Sequence, residues 1–382
     1  MSVLVAKITP SSVRKLRSLL FVSESTAILA ASQKEARELN FSRGTSLSVR
    51  VARRKCSSYH GETLLFRYLA ARWKHRGSLD KRYLRMGLGL ERRAQALSMY
   101  WSDHFSRSRA AQSRWARDCE GRLLTVLGAG PLFDFNTPVL CSHFRSFRMV
   151  DANPLLTQYW GRLGVPVEPV LTDITGCVED WLSAVRTSRG DWRQIMSLIH
   201  DLPLKPVQAY SAKTDALLSL NILSQLEVGW QEAIEPVLIE KFGRNFVREH
   251  EQEWLEAIRR CSQTLAEQHL AAMERSYARD VLLITDVEYI EYTGRRYRRN
   301  RWEAPPVTWS ADGWTAGQGI QYEAIPALEG VELTTEMFSR WMPSYTLLWQ
   351  DNWVWHIAPY GTEPAPHGKL HRVCAFALRL IP

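Results

Sequence analysis

Four apolar stretches recur along the middle of the chain, and each breaks off at a small or acidic residue. "RLLTVLG" stops at Gly128, "FRSFRMVDAN" at Asp151, "EPVLTDIT" at Asp173 and "TDALLSLNIL" near Asn221. Short apolar runs of this kind, bounded by glycines and polar residues, read as strands buried on both faces. The segments between them are long enough for helices, so the expected sheet is parallel and covered on both sides. A fifth strand, "DVLLITDVEYIEY", follows a charged helical region over 231–279. Two long strands, "SYTLLWQDNWVWHIAP" and "KLHRVCAFALRLI", come close together at the end and suggest an antiparallel edge. The predicted class is α/β: a doubly wound, seven-stranded, mostly parallel sheet with an antiparallel C-terminal hairpin.

Charge divides the chain in two. Residues 1–85 hold 18 Lys/Arg and 5 Asp/Glu, a net of +13 in a chain whose total is +9, so the remainder carries −4. The expected organisation is a basic helical N-terminal extension over 1–85 and a mildly acidic body over 86–382. Within the extension, "ETLLFRYLAARWKHR" has the spacing of a short amphipathic basic helix. Residues 91–118 predict one longer helix, or two with a break near Ser102. A basic extension meets nucleic acid, an anionic membrane or an import machinery, or stays solvated. The first 23 residues hold four basic residues and no acidic one, which resembles a mitochondrial-type transit peptide. A cytoplasmic location is expected otherwise. No apolar run approaches the roughly 20 residues that span a bilayer. Six scattered cysteines form no CxxC pair, which indicates neither a zinc site nor a disulfide framework; no metal is expected.

The strand ends are where chemistry belongs. In an open α/β sheet, ligands bind outside the carboxyl ends of the strands. At Gly128-Ala129-Gly130 the missing side chains let the backbone turn sharply and approach a ligand. Asp151 lies 21 residues after Gly130, where a carboxylate accepts hydrogen bonds from ribose hydroxyls. Asp151 or Asn153 is equally suited to cap a helix beginning at Pro154. Asp173 is placed for an adenine amino group or for a cap, and Asn221 for the crevice or a turn.

This ordered series resembles the class I S-adenosylmethionine-dependent methyltransferases over roughly residues 120–382. The resemblance implies that Gly128, Ala129 and Gly130 form the cofactor loop. It makes Asp151 with Ala152 the ribose side, Asp173 with Ile174 the adenine side, and Asn221 the position after strand four. It also implies a closing antiparallel strand seven. Two positions depart from the pattern: Val126 stands where the family carries an acid, and Leu132 where it carries a third glycine. Asp134, just past the loop, is the expected substitute for the acid.

The segment Ser219-Leu220-Asn221-Ile222 lacks the Asn/Asp-Pro-Pro-aromatic sequence of exocyclic base-amine methylation. Cys177 lacks the Pro-Cys context of carbon-5 pyrimidine methylation. The expected activity is methyl transfer to a small-molecule acceptor. His104 is the expected base or acceptor contact, with Tyr100, Trp101 and Arg107 closing the pocket, and His200, Asp201 and His356 are secondary candidates. Trp349, Trp353 and Trp355 share strand parity, for core packing or for holding a flat acceptor. "GRRYRRNRW" is either a solvated basic loop or an RNA contact with Tyr297 and Trp302 stacking. Two alternatives stay open: a non-catalytic interaction protein of the same fold, and an RNA-directed enzyme using the basic segments.

Overall fold

Alternation along the strands builds two cores. Leu124 and Val126 face one side of the first strand and Leu127 the other; Leu217 and Leu218 divide in the same way in the fourth. In the fifth, Val281 and Leu283 oppose Leu282 and Ile284, and all four are fully buried. A sheet apolar on both faces requires a helical layer on each.

The computed structural model of the protein describes residues 78–201, 213–298, 301–328, 338, 340–363 and 365–382. The predicted transit-like segment, the basic helix before residue 78, and Arg299 lie outside them. Among the described residues, no helix is long and apolar enough to cross a membrane.

The chain enters through α1 (Ser78–Ala96) and α2 (Ser98–Ala116). It continues through β1 (Leu123–Leu127), α3 (Thr137–His143), β2 (Ser146–Asp151), α4 (Thr157–Trp160) and β3 (Val167–Leu171). Next come α5 (Val178–Thr187), α6 (Trp192–Asp201), β4 (Ala216–Leu220), α7 (Leu226–Phe242), α8 (Arg244–Glu249) and α9 (Glu251–Glu274). The closing strands are β5 (Asp280–Thr293), β6 (Val307–Ser310), β7 (Gly313–Ala316), β8 (Gln321–Pro326), β9 (Tyr345–Ala358) and β10 (Gly368–Leu380).

The main sheet has the order β3-β2-β1-β4-β5-β10-β9. β1 to β5 are mutually parallel, β10 runs antiparallel to β5, and β9 runs antiparallel to β10. The predicted strands and closing hairpin are therefore present. α5, α6, α7 and α9 pack on one face through residues such as Trp181, Ile195, Trp230 and Leu265. α2 and α3 pack on the other through Trp101, Trp115 and Leu140.

Three features differ from the expectation. The break in the first helical region falls at Leu97, not near Ser102. Leu97 is buried with Ala94, Tyr100 and Trp101, so the corner is set by packing on the sheet rather than by a helix-breaking residue. α1 also runs without interruption across residues 85 and 86. Finally, β5 fills the predicted stretch, with 14 residues against 5 in β4, but has a partner that the sequence did not predict, β8. Beyond the end of β4, β5 pairs on that side with β8 instead, Glu288 to Thr293 against Pro326 to Gln321. β5, β8 and the first part of β10 therefore rise as a wall above the carboxyl edge of the sheet.

Leu218 is fully buried in β4, between β1 and β5. Leu218→Ala is expected to cost about 2–5 kcal/mol by urea unfolding. A loss below about 1 kcal/mol would contradict a tightly packed central strand.

Candidate functional site

Parallel pairing brings the turns after β1, β2 and β3 to one edge. Gly128 turns with φ +69, and a side chain there would sit 2.7 Å from Cβ of Ile222. Its N–H donates to the Val150 carbonyl at 3.0 Å, which ties the first turn to the end of β2. Gly130, at φ +52, donates its N–H to Oδ2 of Asp151 at 3.2 Å. Oδ1 of Asp151 accepts from the Asn153 N–H at 2.9 Å. Asn153 in turn caps the 3-10 turn beginning at Pro154, accepting from the Leu155 N–H at 3.0 Å. Burial raises the Asp151 pKa, and the N–H groups of Asn153, Gly130 and Ala152 oppose that rise.

Asp173 stitches the third turn. It accepts from the Thr175 N–H at 3.0 Å, the Thr175 hydroxyl at 2.7 Å and the Val178 N–H at 3.1 Å. It therefore caps α5 while standing at the ligand edge, so the capping and ligand-edge placements coexist.

These turns border one cavity of about 310 Å³, within the size range of small-molecule pockets, roughly 300–1,000 Å³. Gly130, Asp151, Ala152, Asp173 and Ile174 line it. α1 covers it, with Tyr83 and Leu90 in the wall. Burial and the Asp173 carboxylate push the Tyr83 phenol well above its ordinary range. Of the residues expected at the cofactor, Gly128, Ala129, Asp134 and Asn221 stand behind the lining rather than in it.

Those hidden residues form a polar bridge. The Asn221 side-chain amide donates to Oδ2 of Asp134 at 2.7 Å and lies 3.4 Å from Nε2 of His104. Trp353 donates its indole N–H to Nδ1 of His104 at 3.0 Å, and the Trp355 ring stacks on His104 at 4.0 Å. The bridge joins α2, two strand-end turns and β9. His104 is 1% exposed, and burial lowers its pKa to about 3. It is not in the cavity lining.

Its expected companions are also elsewhere. Trp101 is buried and donates to the Ile357 carbonyl, Tyr100 donates to the Arg301 carbonyl, and Arg107 pairs with Asp103 on the exposed face of α2. His356 is buried against Tyr292, and His200 is exposed on α6. Asp201 closes α6, and its side chain lies outside the described residues.

Both sequence departures have structural counterparts. Val126 is fully buried in the apolar core, where a carboxylate would have no partner. Leu132 takes the left-handed conformation itself, with φ +63. This costs roughly 1–2 kcal/mol in a residue with a side chain. Asp134 does not reach the cavity; it serves the Asn221 bridge. Of the three tryptophans, Trp349 and Trp353 pack in or against the core, while Trp355 both packs and lines the cavity. In the arginine-rich loop, Arg295 pairs with Glu303 and Trp302 is exposed.

The far wall contains residues the sequence did not single out: Ser224, Glu227, Asp286, Tyr289, Lys369 and His371. A bulge explains why Asp286 converges with Tyr289 and His371. Arg372 pairs with Glu288 and Val373 with Asp286, so Val287 is the extra residue. Strict alternation would turn Asp286 and Tyr289 to opposite faces, and the bulge lets both reach the cavity. An aspartate inside "LLITDVEY" was the one available signal.

The β3-β2-β1-β4-β5-β10-β9 order, with β10 antiparallel, is combined here with a glycine turn after β1 and acids after β2 and β3. This is the strand order and turn arrangement that the resemblance to the class I methyltransferases implied. No protein-family model and no curated protein matches the chain. Among solved structures it is similar to the 1,6-didemethyltoxoflavin N1-methyltransferase of Burkholderia thailandensis, with bound 1,6-didemethyltoxoflavin and S-adenosylhomocysteine. The identity is 12% over 76% of this chain and 87% of that chain, with a TM-score of 0.28. It is also similar to a methyltransferase of Anabaena variabilis, at 10% identity over 75% and 94%, TM-score 0.29. A third is an amino pentose methyltransferase of Micromonospora echinaspora, bound to S-adenosylmethionine, at 12% identity over 87% and 99%, TM-score 0.23. These likenesses are weak, and strand order carries the fold.

Burial raises the Asp134 pKa to about 6 from 3.8, opposed in part by the Asn221 amide. The protonated acid therefore favours the folded state, and its contribution is lost as pH rises through about 6. Asp134→Asn keeps an oxygen for Asn221 and removes the charge. The variant is expected to gain stability on the wild type between about pH 4 and about pH 8, by roughly 2 kcal/mol. Parallel pH profiles of the melting temperature would contradict this assignment.

Proposed function

We propose that the protein binds S-adenosylmethionine in the cavity beneath α1 and transfers its methyl group to a small-molecule acceptor. The observation that carries this reading is that Gly130, Asp151 and Asp173, from three successive strand ends, line a single cavity. The residues suit the cofactor. Each Asp151 oxygen accepts one backbone N–H in the resting site, and a carboxylate oxygen has room for a second donor. Asp151 would therefore hold ribose hydroxyls without releasing the turn. Asp173 would receive the adenine amino group, and Ile174 would give the ring an apolar wall. Gly130 has no side chain to exclude the ligand, and α1 lies over the cavity.

Bound there, the cofactor supplies an electrophilic methyl group. The protein's own task is orientation: holding donor and acceptor in line converts a two-body reaction into an effectively one-body step. Enclosure by α1 on one side and by Ile325, Pro326 and Ala327 of the β8 wall on the other favours a small acceptor.

Isothermal titration calorimetry tests this directly. One equivalent of S-adenosylmethionine or S-adenosylhomocysteine is expected to bind. Asp151→Ala is expected to weaken binding about tenfold or more, the size of a lost hydrogen-bonded carboxylate. The far-UV circular dichroism should be unchanged. Absence of heat with either ligand would sink the proposal.

A further inference from the structure

Resting on that reading, we propose that His371, held by Asp286, is the base that removes a proton from the methyl acceptor, so that the acceptor is an O–H or N–H compound. Both residues line the same cavity as Asp151 and Asp173. Asp286 is fully buried, and its Oδ2 accepts from the Ser224 hydroxyl at 3.1 Å. The same oxygen lies 3.2 Å from Nδ1 of His371, close but poorly aligned for a hydrogen bond. Contacts of this kind tighten when a reactive site fills. With Nδ1 turned to Asp286, Nε2 is the nitrogen left for a ligand. The Tyr289 ring lies 4.3 Å from the imidazole and Trp355 5.8 Å, so the ring is held from two sides.

Asp286 Oδ1 has no partner, although it is buried. A buried acceptor left without a donor costs stability, so a purely structural carboxylate would not be kept this way. Glu227, on α7 in the same wall, repeats the pattern with an unpartnered Oε2, and burial raises its pKa to about 7. Two such acids in one chamber point to a ligand that brings donors. The bulge at Val287 is the device that aims Asp286 and Tyr289 together at His371.

Asp286 and Tyr289 from β5 face the imidazole, Lys369 from β10 and Glu227 from α7 line the same cavity, and His104 from α2 is close enough to act on it electrostatically. His104 stays neutral at pH 7 because burial lowers its pKa to about 3. In the step, the acceptor's proton passes to Nε2 of His371. The electron pair it leaves becomes the new bond to the methyl group, and the pair of the broken carbon–sulfur bond departs with the spent donor. Asp286 steadies the imidazolium until the proton returns to water.

Sinefungin, which carries an amine where the cofactor carries its methyl sulfonium, provides the probe. Calorimetry on the full chain would compare sinefungin with S-adenosylhomocysteine. Asp286→Asn is expected to weaken sinefungin about tenfold, the size of one charge-assisted hydrogen bond, while S-adenosylhomocysteine stays within about threefold. In ¹⁵N-histidine NMR of the S-adenosylhomocysteine complex at alkaline pH, the resonance lost in His371→Gln should show the Nδ1–H tautomer. The same signature should shift in Asp286→Asn. Equal effects on both ligands, no effect on either, or an Nε2–H tautomer would overturn the proposal. If S-adenosylhomocysteine does not bind the wild type, the cofactor reading itself fails and takes this one with it.

Discussion

Parallel pairing of β1 between β2 and β4 is the constraint on which the site depends. Because these strands point the same way, their following turns must leave from one edge. The turns then lock together: the Gly128 N–H reaches the end of β2, the Gly130 N–H reaches Asp151, and Gly128 packs against Ile222 after β4. A side chain at Gly128 would break this contact at its closest point. The pocket is thus a consequence of strand direction, and its acids are held in place by the same turns that cap the next helices.

The second half of the cavity arises from a different device. β5 continues past β4 and pairs with β8 in the space β4 leaves. Its extension, with β10, makes a wall facing the turns after β1, β2 and β3 across about 310 Å³. The bulge at Val287 sets which side chains that wall presents. Behind both halves, the Trp353–His104–Asn221–Asp134 bridge fastens α2 and β9 to the turns after β1 and β4. It is a buried polar network with few alternatives, which suits a site that must keep its shape.

Much of the fold was legible because buried parallel strands leave a simple trace: short apolar runs, helix-length spacing, and glycine or aspartate at the exits. Gly130, Asp151 and Asp173 followed from that trace. His104 illustrates the limit. Tyr100, Trp101, His104, Ser108 and Gln112 are all buried on one side of α2, so a histidine serving the core and one serving a pocket leave the same spacing. The far wall was illegible for another reason. The length of β5 was legible, but nothing in the sequence marked β8 as its partner beyond β4, and a one-residue bulge reverses the face of everything beyond it. His371 and Asp286 are 85 residues apart in sequence and meet only through that register.

The central claim is that three strand ends form one nucleoside pocket. Amide hydrogen exchange, with and without S-adenosylhomocysteine, tests it most directly. The account predicts added protection in the turns over 128–134, 151–156 and 173–178 and in α1, with the outer strands β3 and β9 unchanged. Protection spread evenly over the chain, or confined to a surface away from these turns, would contradict it.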